Sequence, residues 1–429
     1  MDENQGLKKI LNTFDAFSVV VGAIIGVGIF FTPSQVARLS GSFYGAMIAW
    51  GMGGIIALFG AISFAKLGSM YPKTGGQYEI LKDAYGGYPS FIYVFCNITA
   101  IQAGSAAVIS LVCIANLWLV GSNTLPSPFL RASLAGLLIL VLVIANVVGV
   151  KYGALIQDLT VIWKFLVIAG IITLSFFAQN KGSVGPEKNE NILAFGIFSA
   201  LVPALFSFGG WQHALWIGGE IKQGEKKIPF AIITGVLSVI LCYMLINFAY
   251  FSILGYEGVS QSKAIAADSV YAVLGNIGKQ IVALAVALSA FGVLNAQFLS
   301  GPRLVYAMAR KGAFFSIFGV PHKRFFTPYY AIILLGVMAI FLLFVAGENA
   351  VSKILTGVVF IDCIFFILTA LSLIIIKKTF LMIPVLFSIG ELLVMIGAYL
   401  DTQTRISALI GIAWVLFASV FYFFRKIYT

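Results

Sequence analysis

Polar and apolar positions in this chain alternate in long blocks rather than residue by residue. Apolar runs recur from one end to the other, separated by short polar stretches. About 20 apolar residues cross the roughly 30 Å of a bilayer's hydrocarbon core, so each run is a candidate span. Hydropathy predicts about twelve, near 14–40, 43–70, 89–120, 129–149, 152–178, 192–221, 229–254, 276–308, 328–346, 349–376, 380–400 and 405–425. Backbone polar groups in lipid must be satisfied within the segment, so the spans are read as helices and the fold class as an all-α polytopic membrane protein.

Composition closes off the soluble alternatives. Of the 429 residues 60% are hydrophobic and only 10% charged, against roughly 25% charged in soluble globular chains. The net charge of +11 would suit a nucleic-acid partner, but the basic residues punctuate loops instead of forming one face. One set of alternate loops holds Lys8, Lys9, Lys73, Lys82, Lys151, Lys222, Lys226, Lys227, Arg310, Lys311, Lys323, Arg324, Lys377, Lys378, Arg425 and Lys426. The opposite set holds Lys181, Lys188, Lys263, Lys279, Lys353 and few others. The positive-inside rule then puts the first set and both termini in the cytoplasm, as an even number of spans requires, with a bacterial inner membrane as the expected location. Met1–Thr13 is polar and the first apolar run continues into a full span, so no cleaved leader is expected. Cys96, Cys113, Cys242 and Cys363 all fall inside spans without C-x-x-C spacing, and read as small buried hydrophobes.

Two spans carry segments that weaken a helix: Gly22-Ala-Ile-Ile-Gly-Val-Gly28 in the first and Ser207-Phe-Gly-Gly-Trp211 in the sixth. Each glycine costs a helix about 1 kcal/mol relative to alanine. Unwound backbone at membrane depth is tolerated only around a buried or water-filled cavity. The breaks stand five spans apart, the pattern of two inverted five-helix repeats with a substrate held between half-helices. The half-helix beginning near Val27–Ile29 offers N–H groups and a positive dipole end to a carboxylate. The half-helix ending near Phe206–Ser207 offers carbonyls to an ammonium group. The two together describe an α-amino acid. Close helix packing is the other reading, since Gly22-xxx-Gly26 also fits a small-xxx-small seam.

Several motifs give the chain a family likeness. Gly22-Ala-Ile-Ile-Gly-Val-Gly-Ile-Phe30, Pro72-Lys-Thr-Gly-Gly76, Phe206-Ser-Phe-Gly-Gly-Trp211, Gly219-Glu-Ile-Lys222 with Ile228-Pro229, and Phe291-Gly-Val-Leu-Asn295 with Pro302-Arg303 resemble the amino acid–polyamine–organocation permeases. Within them the chain looks most like bacterial relatives of the L-type amino acid transporters, including serine/threonine exchangers. The resemblance runs from about residue 7 to about 378. It implies an inverted-repeat core, with a cytoplasmic tail at 1–13, repeats at 14–178 and 192–376, and two accessory helices at 380–429. It also implies main-chain substrate contacts from Ile24, Gly26, Val27, Gly28 and Ile29, with Phe206 as an aromatic gate and Ser207 and Gly209 receiving the amine. Where relatives often carry serine this chain has Val27, which removes one hydroxyl donor but no backbone amide. The side-chain pocket is expected from Asn97, Ile101, Trp211, Asn295, Gln297 and the tenth span.

Charges inside the spans add the coupling chemistry. Lys164 lies about twelve residues into the fifth span, roughly 18 Å deep, where an unpaired cation costs at least ~2.5–3.5 kcal/mol. The resemblance places it where sodium-coupled relatives bind an ion, near Gly22, Ile25 and Ser289, so its ammonium would stand in for sodium; proton coupling and a purely structural role are the alternatives. Asp362 in the tenth span is read as a packing partner, a proton carrier or a partner for a cationic substrate. Glu391 in the eleventh is read as packing or an oligomer contact. No metal-ligand spacing, nucleotide motif or clustered catalytic set occurs, so no cofactor and no enzyme are expected. The sequence thus predicts a sodium-independent carrier of L-amino acids, expected to be neutral ones; the alternatives are a proton-coupled carrier of polyamines or cationic amino acids and, from other classes, a channel or a membrane-embedded enzyme. The outward loop Gly121–Pro128 has no cysteine, so the disulfide-linked subunit of some eukaryotic relatives is not expected.

Overall fold

The computed structural model describes residues 7–122, 124–178, 194–400 and 405–428. Lys181 and Lys188, Asn123 of the outward loop, and the first residues of the expected tail and sixth span lie outside the described residues, as do the side chains of Lys353, Arg425 and Lys426.

The first apolar run folds as two helices, α1 (Thr13–Ile24) and α2 (Thr32–Ser40), joined by irregular backbone and a 3₁₀ turn at Gly28–Phe30. Asn12 starts α1: its side chain accepts from the amides of Phe14 and Asp15, and Asp15 accepts back from the Asn12 amide, so three amide donors are satisfied at once. Gly41, at φ 74°, ends α2. Then come α3 (Phe43–Met70), α4 (Gly76–Tyr85) and α5 (Gly87–Cys96), and α5 continues through a π turn at Asn97–Ile101 into α6 (Gln102–Leu119). Next are α7 (Pro128–Val148) and α8 (Val150–Phe177).

The sixth apolar run is also divided, into α9 (Ala194–Phe208) and the single turn α10 (His213–Trp216), followed by a 3₁₀ turn at Gly218–Glu220. The rest of the chain forms α11 (Gly224–Gln261), α12 (Ile265–Leu274), α13 (Asn276–Ser300), α14 (Pro302–Arg310), α15 (Tyr329–Lys377), α16 (Met382–Leu400) and α17 (Arg405–Tyr428). Among the described residues the one piece of β pairing is a parallel bridge between Leu11 and Ile221. Two helices depart from the expected spans: α4 and α12 occupy stretches read from the sequence as connections. In α4 the polar Gln77 and Glu79 are buried beside Tyr78, Ile80 and Leu81, so its apolar signal is short and interrupted.

Among the described residues seven helical stretches are long and apolar enough to cross a bilayer: Phe43–Met70, Gly87–Leu119, Pro128–Val148, Val150–Phe177, Gly224–Gln261, Asn276–Arg310 and Phe360–Lys377. Shorter apolar stretches include Thr13–Ile24, Tyr329–Val345, Met382–Gly397 and Ala408–Phe424. As one straight rod the 49 residues of α15 would measure about 74 Å, more than twice a hydrocarbon core. Its first apolar part meets α7, where Gly336 faces Val143, and its second meets α4, where Thr369 binds Gln77. The chain is a polytopic α-helical membrane protein.

One end of the bundle is knitted shut. The Arg303 guanidinium grips both carboxylate oxygens of Glu220, Nε to Oε1 at 2.7 Å and Nη2 to Oε2 at 3.1 Å, and both side chains are fully buried. The Glu220 carbonyl accepts from the amides of Ile10 and Leu11, and the Gly75 amide donates to the Trp216 carbonyl at 2.7 Å. Gly75 needs to be glycine twice over: its φ is +69°, and a Cβ there would lie 2.4 Å from Ala307. The motifs at residues 72–76, 219–222 and 302–303, distant in sequence, therefore meet in one lock.

Two stability tests follow from this architecture. Removing one partner of a buried ion pair costs about 3–5 kcal/mol because the other charge is stranded. Arg303→Met and Glu220→Gln should each lower the melting temperature of the detergent-solubilised protein by several degrees, and the double variant by less than their sum; additive losses would mean that the pair is not coupled. Gly210 has φ +136°, and a Cβ there would lie 2.8 Å from the Ala23 carbonyl carbon, whereas one on Gly209 meets nothing nearer than the Phe206 oxygen at 3.7 Å. Strained backbone of this kind costs about 1–3 kcal/mol. Gly210→Ala should melt clearly lower than Gly209→Ala in the same assay.

Candidate functional site

The two helix breaks lie against each other at the centre of the bundle. Gly210 packs on the backbone of Ala23 and Ile24 so closely that no side chain fits. Above and below that contact, main-chain groups lose their helical partners. The amides of Val27, Gly28 and Ile29 have no acceptor among the described residues, since the next bonds of the turn begin with Phe30 and Phe31. Carbonyls at the end of α9 lack i+4 donors for the same reason. Part of this deficit is met by one side chain. The Tyr243 hydroxyl on α11 lies 3.1 Å from the carbonyls of both Ile24 and Ser207 and shares its single proton between the two breaks. Trp50 and Phe208 pack on the Tyr243 ring, with centroids 5.6 and 5.1 Å away.

A second bridge joins the outer half-helices. Thr32 and Ser207 hydroxyls are 2.8 Å apart, and Thr32 also donates to the Gly28 carbonyl at 2.9 Å. Lys164 of α8 supplies the third tie: its ammonium donates to the Gly22 carbonyl at 2.7 Å, and the residue is only 1% exposed. Gly292 makes room for that side chain, because a Cβ there would lie 3.3 Å from the Lys164 Cε. Ser289 reaches the Ile25 carbonyl at the longer distance of 3.4 Å. Gly22, Ile25, Lys164 and Ser289 thus all sit at the first break.

A cavity of about 400 Å³ opens at this junction, within the range of small-molecule sites. Of the residues singled out in the sequence, Ile24, Gly26, Val27, Gly28, Ile101, Phe206, Ser207, Gly209, Trp211, Gln297 and Asp362 line it. Phe206 is 43% exposed on the wall of the cavity. Three expected residues lie elsewhere. Ile29 is fully buried behind the turn, and Asn97 is buried on the π turn with both amide atoms unpartnered.

Asn295 requires a correction. Its side chain points away from the cavity into a polar ladder, donating to the Gly153 carbonyl at 2.8 Å and to Gln157 Oε1 at 3.1 Å, and accepting from Asn146. Gln157 in turn donates to the Ser18 carbonyl, so the ladder joins α1, α7, α8 and α13. Asn295 holds helices together rather than lining a pocket. Glu391 also lands differently from its reading as packing or oligomer contact: it is part of the cavity wall and 6% exposed. Tyr243, Thr32, Gln102 and Gln212 were not singled out in the sequence; a polar ring in the middle of an apolar run was the available signal for Tyr243. Among the described residues no group of three or more His, Cys, Asp or Glu side chains could hold a metal ion.

Comparisons with known proteins identify the family. Residues 11–428 match the model of a family described as amino acid permease. The serine/threonine exchanger SteT of Bacillus subtilis (strain 168) is 31% identical over 432 aligned residues, covering 96% of this chain and 96% of the relative. The human b(0,+)-type amino acid transporter 1 is 29% identical, over 97% of this chain and 88% of its own length. The human cystine/glutamate transporter is 29% identical, over 82% of this chain and 72% of its own length. The chain belongs to the amino acid permease family.

Proposed function

We propose that this protein is a secondary transporter of α-amino acids that works by alternating access as a permease or exchanger. The observation that carries the proposal is the pair of facing helix breaks over one cavity. The free amides at Val27 and Gly28, both in the cavity wall, form an anion site at the start of a half-helix. The carbonyl end of α9, with Ser207 and Gly209, suits the ammonium three bonds away. Phe206 on the cavity wall is the gate, and Ile101, Trp211 and Gln297 face the side chain. Relatives named as an exchanger and as amino acid transporters support the same reading.

The fuller architecture is part of the proposal. Twelve spans form inverted repeats at 14–178 and 192–376, after a short tail at 1–13, with 380–429 as an accessory pair. Breaks in the first and sixth spans support this, as do the two apolar parts of α15, which fill the ninth and tenth places. The basic loops put both termini in the cytoplasm of a bacterial inner membrane. The carrier works without a disulfide-linked subunit: all four cysteines lie within helices, three of them buried. Lys164 takes the place of a coupling cation, since its ammonium already occupies the Gly22 carbonyl.

The direct test is counterflow in proteoliposomes with a panel of labelled L-amino acids. A carrier accumulates label against unlabelled internal substrate; no counterflow with any amino acid would remove the proposal. A Cβ on Gly28 would sit 3.5 Å from the Ser207 hydroxyl, an ordinary contact, so Gly28→Ala fits, while the longer side chain of Gly28→Leu fills the space between the breaks. Gly28→Leu should lose at least about tenfold in apparent affinity with insertion intact, and Gly28→Ala far less. Replacing sodium by choline at constant pH should leave wild-type exchange unchanged. Lys164→Ala should slow it by about tenfold or more, and a variant matching wild type would make the lysine a structural residue only.

A further inference from the structure

The cavity extends past Trp211 to two acidic side chains on different helices. Asp362 on α15 and Glu391 on α16 both line it, together with Cys363, Phe366 and Val394. Neither has an ion-pair partner among the described residues. The buried cations are committed elsewhere, Lys164 to the Gly22 carbonyl and Arg303 to Glu220. The Cys363 thiol, a weak donor, stands beside Glu391. Two uncompensated carboxylates in a membrane interior are costly.

A second feature points the same way. The side-chain oxygens of Gln102, Gln212 and Gln297 have no hydrogen-bond partner, although these residues are only 3%, 4% and 5% exposed and all line the cavity. Buried polar atoms are paired in the great majority of proteins, so an acceptor-rich wall of this kind calls for donors from a ligand. The cavity wall also carries apolar surface on the carboxylates' own helices: Trp211 stacks on Phe366 of α15 with centroids 5.6 Å apart, and Val394 of α16 lines the same cavity. A side chain with an aliphatic stem and a charged, multiply donating head matches that combination of surfaces.

We propose that Asp362 and Glu391 form a subsite for the cationic side-chain group, ammonium or guanidinium, of a dibasic amino acid. The proposal rests on the transport reading above and names the substrate class of the same cavity. It departs from the neutral substrates expected from the sequence, where Glu391 was not placed in the cavity. The α-carboxylate and α-ammonium are held at the breaks, and the second cation reaches the acidic pair, with its stem on the apolar wall. One bound cation leaves the pair a single negative charge in excess, which one proton held between two neighbouring carboxylates removes. The loaded site is then electrically neutral, as a step across a bilayer favours.

The test compares L-lysine with L-norleucine, which keeps the stem and lacks the ε-ammonium, in proteoliposomes containing the purified protein. Wild type should show kcat/KM at least about tenfold higher for L-lysine, the effect of one buried charge contact. Asp362→Asn and Glu391→Gln should each collapse that ratio about fivefold or more, chiefly through the KM for L-lysine; monodispersity in detergent checks that the variants fold, and the wild-type ratio stands without them. Equal use of both substrates by wild type, or a ratio that survives in both folded variants, would overturn the subsite while leaving amino acid transport in place. Absence of exchange with every amino acid would instead remove the transport reading and the subsite with it.

Discussion

A main-chain N–H or C=O without a partner is tolerable in water and costly in a membrane, and this fold concentrates such groups in one place. Breaking the first and sixth spans frees amides at Val27 and Gly28 and carbonyls at the end of α9. The surrounding helices answer only part of the deficit. Tyr243 shares a proton between Ile24 and Ser207, and Lys164 satisfies Gly22. What remains faces a cavity, because no lipid-exposed position could hold it. The site is therefore less a set of special side chains than a consequence of where the backbone is left incomplete.

The lock and the region around the cavity are held with unequal strength. At one end a bidentate ion pair, a β bridge and glycines that admit no side chain tie four distant segments together. At the cavity, Phe206 stands half-exposed on the wall. The ties there are single hydroxyl contacts such as Thr32 to Ser207, which exchange with water at small cost. Alternating access requires these strengths to be traded, and a pair like Glu220–Arg303 can be traded only if both partners become solvated together.

Much of this was legible before any coordinates. Glycine runs at 22–28 and 207–211 marked the breaks because unwound backbone in lipid has few explanations, and Lys164 stood out because a mid-membrane cation must find a partner. Other features could not be read that way. In spans that are apolar all round, periodicity does not say which face looks into a cavity, so Asn295 and Glu391 were each assigned the wrong surroundings. Asn295 belongs to a ladder whose other members, Asn146 and Gln157, sit on other helices, and only the packing brings them together. The helix α4 was missed because its ten residues mix buried Ile80 and Leu81 with a buried Gln77 that bonds to Tyr93, Trp216 and Thr369.

The central claim is that the two breaks recognise the two charged groups common to all α-amino acids. Competition binding with chemically blocked ligands addresses it most directly. For whichever L-amino acid binds the purified protein, the methyl ester lacks the carboxylate and the N-acetyl form lacks the ammonium, with the side chain unchanged. If the amides at Val27 and Gly28 and the carbonyls at Ser207 and Gly209 carry recognition, each blocked form should compete at least about a hundredfold more weakly than its parent, as loss of one charge-assisted contact set implies. A methyl ester or N-acetyl derivative that competed as well as the free amino acid would contradict the account.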